Sequence, residues 1–244
     1  MLLTTETADI PGPAGSIRCL VARPRAEGRF PAIVAWSDIF QLTPPHQRVV
    51  CRLAGHGFVV VAPELYGRIE PAGTVLDFER DRARALADAD RMRVEDLDAD
   101  RRAVVAWTRA HSSADGRRLG AIGWCFGGHV AFRAALEPEI LATACCYPTG
   151  LHSGKLGAST VDSLDRAREI RGELRLVWGR RDPHIPADGR ARIHRALDEA
   201  GVRFEARLFD AEHTFMRDEG ARHDPQANDE AFAAIVELYR RVLG

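Results

Sequence analysis

The chain has 244 residues, of which 45% are hydrophobic and 28% charged, and this composition is typical of a globular protein with a sizeable core. Its net charge of −1 excludes a general attraction to nucleic acid or to an anionic membrane, and no apolar run reaches the roughly 18 residues of a transmembrane helix. The five cysteines show no zinc-site spacing, and the first residues lack the pattern of a signal peptide. We therefore expect a cytoplasmic protein with reduced thiols and no nucleic-acid or membrane partner.

Apolar runs alternate with helical patterns along the chain, which is typical of βαβ units and a mostly parallel sheet flanked by helices on both faces. After an early antiparallel hairpin, we predict strands over residues 17–22, 32–36, 58–63, 119–124, 142–147, 174–178 and 204–209. We predict helices over residues 45–53, 96–110, 128–136, 188–200 and 228–242. Because the chain contains no repeat or long linker, we expect a single domain over residues 1–244.

Two segments, 67–94 and 150–172, do not fit this alternation, and we call them the first and second excursions. Long excursions at the edge of a sheet where ligands bind often determine specificity. We therefore expect both to lie near the mouth of an active site.

Residues 78–86 in the first excursion have a helical pattern. At about 100° per residue, Arg82 shares a helix face with Phe78 and Leu86, whereas Arg84 points the opposite way. Arg82 is therefore the arginine expected to face inward. The alternative is a solvated charged helix on which Arg82 extends its charged end into water.

The most informative motif is Gly-Trp-Cys-Phe-Gly at residues 123–127, between an apolar strand and a helical pattern. It reproduces the Gly-x-Ser-x-Gly nucleophile elbow with a sulfur in place of the hydroxyl. In such a turn the nucleophile is exposed above the sheet, and the next N–H points to the same place. The alternative is that Cys125 is a small buried apolar residue at a strand end.

An acid and a histidine follow the cysteine in chain order. Asp182 comes just after the strand predicted over 174–178, and His213 comes just after the strand predicted over 204–209. Nucleophile, acid and histidine in this order, each beyond a strand end, are typical of the α/β-hydrolase fold. Asp182 could instead cap a turn, and His213 could lie in a surface loop. The conjunction of all three favours a catalytic triad.

These residues resemble the dienelactone hydrolase family, the carboxymethylenebutenolidases, over most of the chain. The matching stretches are Asp-Ile-Phe at 38–40, Val-Ala-Pro-Glu-Leu-Tyr at 61–66, Gly-Trp-Cys-Phe-Gly-Gly at 123–128, Asp-Pro-His-Ile-Pro at 182–186 and His-Thr-Phe-Met-Arg at 213–217. Members of this family are cytoplasmic α/β-hydrolases that open lactone rings without a metal, so the resemblance implies the same fold and no cofactor.

The resemblance assigns a role to each matching residue. It implies that Cys125 is the nucleophile, His213 the base and Asp182 the group that orients the histidine. It further implies that the backbone N–H groups of Ile39 and Phe126 form the oxyanion hole.

Family members bind the substrate carboxylate with two arginines. The matching positions are Arg217 and Arg82, although an ungapped alignment would select Arg84, and the helix-face pattern decides for Arg82. The alternative for Arg217 is a salt bridge to Asp218 or Glu219.

Two positions depart from the family pattern. The family has a glutamate that takes the thiol proton, and Asp38, one methylene shorter, stands in its place. The stretch 147–155 is also unlike the best-known members, and we expect it to reshape the pocket.

We therefore predict a cysteine-dependent hydrolase that opens small, carboxylate-bearing lactones or esters through a thioester intermediate. Its partner is a small-molecule substrate, and we expect a monomer or a small homo-oligomer. One alternative is a broad carboxylesterase or thioesterase with structural arginines. The other is a ligand-binding protein on an inactive hydrolase fold.

Overall fold

The computed structural model describes residues 1–244, and its main feature is an eight-stranded sheet. The strands are β1 (Leu3–Gly12), β2 (Gly15–Pro24), β3 (Phe30–Trp36), β4 (Val59–Pro63), β5 (Ala114–Trp124), β6 (Ile140–Cys146), β7 (Lys155–Leu156), β8 (Ser159–Thr160), β9 (Glu173–Gly179) and β10 (Phe204–Phe209). The helices are α1 (Pro44–Ala54), α2 (Arg82–Arg91), α3 (Val94–Ala110), α4 (Phe126–Ala134), α5 (Ala187–Glu199) and α6 (Pro225–Leu243). β7 and β8 form a separate hairpin.

The sheet has the strand order β1-β2-β4-β3-β5-β6-β9-β10. β2 pairs antiparallel with β1 and with β4, and every later pair is parallel. The early hairpin and the mostly parallel sheet are therefore as predicted. Because the carboxyl ends of parallel strands lie at one edge, the loops after β3, β5, β6, β9 and β10 meet there.

Helices cover both faces of the sheet, as predicted. α1 and α6 pack together, with the Arg52 guanidinium 3.9 Å from the centre of the Phe232 ring. α3 and α4 pack together through an ion pair between Asp98 and Arg133. β3, β4, β6 and β9 between these layers are almost wholly buried.

Four helix starts differ from the prediction by two or more residues, and two of them are α3, which begins at Val94 and not at 96, and α6, which begins at Pro225 and not at 228. The helix expected from Phe78 begins at Arg82, because the Asp77 carboxylate accepts the N–H groups of Glu79 and Arg80 and holds a turn there. The helix expected from Gly128 begins at Phe126, directly after the cysteine.

Each excursion has some regular structure of its own. The first contains a turn, α2 and the start of α3, and the second contains the β7–β8 hairpin and a 3-10 turn over Ala167–Glu169. Both contribute side chains to the cavity at the carboxyl edge of the sheet.

Candidate active site

Cys125 occupies the turn between β5 and α4. Its backbone has φ 55° and ψ −118°, a strained combination for a residue with a Cβ. Its N–H donates to the carbonyl of Cys146 over 3.0 Å, which ties the turn to the neighbouring strand. The sequence motif is therefore a true nucleophile elbow in its backbone geometry.

The glycines of the elbow are needed because the backbone is closely packed on either side. A Cβ on Gly123 would overlap the carbonyl of Gly127, and a Cβ on Gly127 would overlap the carbonyls of Trp36 and Ser37. The turn after β5 can therefore approach the end of β3 only if these side chains are absent.

The acid and the histidine meet beside the elbow. The Nδ1 of His213 donates to Oδ2 of Asp182 over 2.6 Å, and the other carboxylate oxygen accepts the N–H of His184 over 2.8 Å. The Nε2 of His213 is buried without a hydrogen-bond partner in the protein, and His213 and Cys125 line the same cavity. With its proton on Nδ1, the neutral ring presents a free lone pair at Nε2, as a general base requires.

The electrostatics of this pair favour a protonated histidine. Burial alone would lower the pKa of His213, but the negative charge of the Cys125 thiolate, the hydrogen bond to Asp182 and the charge of that carboxylate outweigh it and raise the pKa to about 9. Burial likewise opposes ionisation of Asp182, yet the hydrogen bond from His213 and its charge hold the pKa of Asp182 below its ordinary value. The site can therefore hold a proton taken from the thiol.

Two backbone N–H groups are available beside the cysteine. Ile39 donates no hydrogen bond within the protein, and Phe126 is the first residue of α4, where an N–H has no acceptor inside the helix. Both residues line the cavity. This is the chemistry that an oxyanion hole requires.

Asp38 lies next to these groups, after β3. Its Oδ1 accepts the N–H of Phe40 over 2.9 Å, and its Oδ2 lies 3.8 Å from Nη1 of Arg217. Burial raises the pKa of Asp38, while the Phe40 N–H and the positive charge of Arg217 oppose that rise. The carboxylate forms no hydrogen bond with Cys125.

Arg217 extends into the cavity. Its guanidinium carbon lies 3.6 Å from the centre of the Phe78 ring, and its side chain is 16% exposed. The carboxylates of Asp218 and Glu219, which were its alternative partners, lie instead within 2.7 Å and 3.6 Å of Arg48. The structure therefore places Arg217 where a substrate carboxylate could reach it.

The two arginines of α2 differ in their surroundings. Arg84 pairs with the carboxylate of Glu70, and its Nε donates to that side chain over 2.9 Å. Arg82 is exposed, forms no ion pair and lines the cavity. Arg82, and not Arg84, therefore lies at the cavity, but its side chain is exposed and does not face inward as the helix-face pattern predicts.

The cavity has a volume of about 280 Å³ and two kinds of wall. Ile39, Phe40, Phe78, Leu86 and Phe126 supply apolar surface, and these come from the loop after β3, the first excursion and α4. Arginine and lysine side chains supply positive charge, and one of them, Arg217, stacks on Phe78. No group of three or more His, Cys, Asp or Glu side chains is placed to hold a metal ion, and no helix is long and apolar enough to cross a membrane.

Six polar cavity residues were missed by the sequence reasoning. They are Asp90, Thr149, Lys155, His184, Thr214 and Arg222. His184 stacks edge-on against His213 with ring centres 4.7 Å apart, and its position directly after the Asp182 loop could have identified it. Thr149 and Lys155 lie in the stretch that departs from the family pattern, which was the only signal they carried.

Comparisons with known proteins identify the family and agree with the fold. The model of the dienelactone hydrolase family matches residues 17–243. A carboxymethylenebutenolidase of Pseudomonas sp. is 32% identical over 89% of this chain and 87% of its own. A dienelactone hydrolase-like promiscuous phosphotriesterase from metagenomic libraries has a TM-score of 0.82 at 18% identity, with 100% of both chains covered. An esterase of Pyrobaculum calidifontis has a TM-score of 0.74 at 19% identity, covering 98% of this chain and 85% of its own.

The two similar structures show the α/β-hydrolase fold. The family match and the Pseudomonas relative also identify the family and the type of reaction. The chain belongs to the dienelactone hydrolase family and is a hydrolase that acts on ester or lactone bonds.

Proposed function

We propose that this protein hydrolyses small, carboxylate-bearing lactones or esters through a thioester at Cys125. The observation that carries the proposal is one cavity lined by Cys125, by His213 with its unpaired Nε2, and by Arg217. A nucleophile, a base and a carboxylate-binding group thus face the same small volume.

The first half of the reaction forms the thioester. The Nε2 of His213 takes the thiol proton, and the sulfur attacks the carbonyl carbon of the substrate. The N–H groups of Ile39 and Phe126 stabilise the oxyanion, and each such donor contributes about 10²–10³ in rate. When the tetrahedral intermediate collapses, the leaving oxygen takes the proton back from His213.

The second half releases the product. His213 removes a proton from water, which attacks the thioester, and the sulfur leaves and is reprotonated. In a lactone the leaving group stays tethered to the acyl group, so water must capture the thioester before the ring closes again. The roughly 280 Å³ of the cavity can hold such a tethered intermediate.

We propose that Asp38 activates the thiol of Cys125. This role requires its short side chain to bring the carboxylate close to the sulfur. Its carboxylate is engaged by the Phe40 N–H and faces Arg217. If Asp38 takes part, Asp38→Asn should lower the rate of acylation, and Asp38→Glu should raise it or hold it. Equal rates in all three proteins would remove Asp38 from the mechanism.

The test compares kcat/KM on cis-dienelactone with kcat/KM on a neutral ester, p-nitrophenyl acetate. A strong preference for the dienelactone supports the whole proposal. Activity on the neutral ester alone keeps the cysteine triad but favours the broader carboxylesterase or thioesterase. Absence of both activities, together with no reaction of Cys125 with iodoacetamide, would leave a binding protein on a hydrolase fold.

A further inference from the structure

Thr149, directly before the second excursion, contacts the proposed nucleophile twice. Its Oγ1 lies 3.8 Å from Sγ of Cys125, and its backbone N–H donates to the carbonyl of Cys125 over 3.1 Å. The hydroxyl forms no other hydrogen bond in the protein, and Thr149 lines the cavity. A hydroxyl is thus held beside the sulfur by a residue that also holds the elbow backbone.

A buried histidine, His129, holds the backbone carbonyl of Thr149. The Nδ1 of His129 lies 3.2 Å from the carbonyl oxygen of Thr149, and its Nε2 lies 2.8 Å from Oγ of Ser163. Burial and the nearby Arg133 lower the pKa of His129 to about 3, so the ring is neutral at ordinary pH. Because a carbonyl can only accept, the ring proton is on Nδ1, and Nε2 accepts the hydroxyl proton of Ser163.

The same chain of hydrogen bonds ends on a buried ion pair. Arg133 donates to Ser163 over 2.9 Å and binds both carboxylate oxygens of Asp98, over 2.9 Å and 2.5 Å. Asp98 is on α3, and Arg133 and His129 are on α4. The carbonyl of Thr149 is therefore held by a histidine of α4 that is linked, through Ser163, to the Arg133–Asp98 ion pair.

From these contacts we propose that Thr149 is a further catalytic residue, whose hydroxyl donates a hydrogen bond to the Cys125 sulfur and stabilises the thiolate. His129 is the positioning residue that holds Thr149 there. The thiol proton leaves to Nε2 of His213, and the Thr149 proton stays on its own oxygen. A hydrogen bond to the anionic sulfur is stronger than one to the neutral thiol, so the contact favours the reactive form. This inference rests on Cys125 being the nucleophile.

Other charged and titratable groups also surround the sulfur and must be the same in the proteins compared. They are Asp38 after β3, Tyr66 after β4, Tyr147 after β6, His184 after β9, His213 and Arg217 after β10, and Arg82, Asp90, Lys155 and Arg222 at the mouth. Variants at Thr149 leave all of these side chains in place.

The test follows the thiolate absorbance of the full-length enzyme against pH, without substrate. Subtracting the same titration of Cys125→Ser isolates Cys125, because the other four cysteines are present in both proteins; burial raises the pKa of each of them, that of Cys19 to about 12. We expect the midpoint to rise by about one pH unit in Thr149→Val, which keeps the side-chain volume and removes the hydroxyl. Thr149→Ser should restore it.

An unchanged midpoint in a folded Thr149→Val protein would overturn the inference, and Thr149→Ala gives the same reading if the valine variant does not fold. For the positioning role, His129→Gln should raise the midpoint as Thr149→Val does, and the double variant should raise it no further. Additive shifts would mean that His129 acts independently of Thr149. If the midpoint shifts but Cys125→Ala still hydrolyses substrate, the proposed function fails while the Thr149–sulfur contact stands.

Discussion

The elbow and the first excursion both contribute to the cavity, but they are held in different ways. At the elbow, backbone packs directly on backbone. Because Gly123 and Gly127 have no Cβ, this close approach is possible and fixes the position of Cys125. In the first excursion, Arg82 is on an exposed helix and has no ion-pair partner. The atoms proposed to react are therefore held by backbone packing, whereas part of the charge proposed to bind substrate is on an exposed side chain without an ion-pair partner. Changes in the two regions should have very different consequences.

The largest effect is expected from Gly127→Ala. Its methyl group would overlap the carbonyls of Trp36 and Ser37, so the elbow must shift, and Phe126 N–H shifts with it. We expect kcat/KM on p-nitrophenyl acetate to fall by about 10²-fold or more. The matched control is Gly67→Ala in the first excursion, where the added methyl meets only the Ser16 carbonyl at 3.9 Å. The control should stay within about twofold of the wild type, and equal losses in both variants would contradict this comparison.

Arg217→Met should lower the preference of the enzyme for a negatively charged substrate. The side chain keeps its packing on Phe78 but loses the guanidinium that could bind a carboxylate. We expect kcat/KM on cis-dienelactone to fall by about 10- to 100-fold, with little change on the neutral ester. Parallel losses on both substrates would mean that Arg217 supports the site only structurally.

The two arginines of α2 give a smaller, matched pair of variants. Arg82→Met should lower kcat/KM on cis-dienelactone by about two- to fivefold, because solvent screens an exposed charge. Arg84→Met should leave it unchanged, since Arg84 pairs with Glu70 and does not line the cavity. A larger loss in the Arg84 variant would reverse the assignment of the two arginines.

The smallest effect is a pH dependence of stability. Because the folded pKa of His213 is raised from 6.5 to about 9, its contribution is complete below pH 6.5 and is lost as the pH rises through 9. The urea midpoint of the wild type, relative to His213→Asn, should therefore fall across that window.

Cys125→Ser provides the control for this pH effect. The Cys125 thiolate is one cause of the raised pKa of His213, and a serine stays neutral, so the fall should be shallower in that variant. Equal slopes in the wild type, His213→Asn and Cys125→Ser would contradict the ion pair.

The parts of the structure that the sequence predicted are those with local signals. Strand β10 was predicted over its full extent, and the elbow was recognisable because Gly-x-Cys-x-Gly marks a turn with little room for side chains. The helix-face pattern predicts an inward Arg82 on one face with Phe78, but the helix begins only at Arg82, after a turn capped by Asp77, and Arg82 is exposed. Periodicity indicates which side chains share a helix face. It does not indicate at which residue a capped turn ends and the helix begins.

The rest depends on contacts between residues distant in the chain. Thr149 and Cys125 are 24 residues apart, and His129 and Ser163 are 34 apart. Nothing in a single sequence shows that two buried polar groups are partners, because each could equally be satisfied by the backbone. The same holds for Arg217, whose partner could have been Asp218 and is instead the Asp38 carboxylate across the cavity.

The central claim is that Cys125 forms a thioester, and the most direct test is to detect this covalent intermediate. The enzyme is mixed with p-nitrophenyl acetate, quenched in acid and mapped by mass spectrometry, with Cys125→Ala as the control. We predict one acetyl group on Cys125, removed by hydroxylamine as a thioester is, and no adduct and no hydrolysis in the alanine variant. An acetyl group on another residue, or undiminished hydrolysis without Cys125, would contradict the cysteine mechanism.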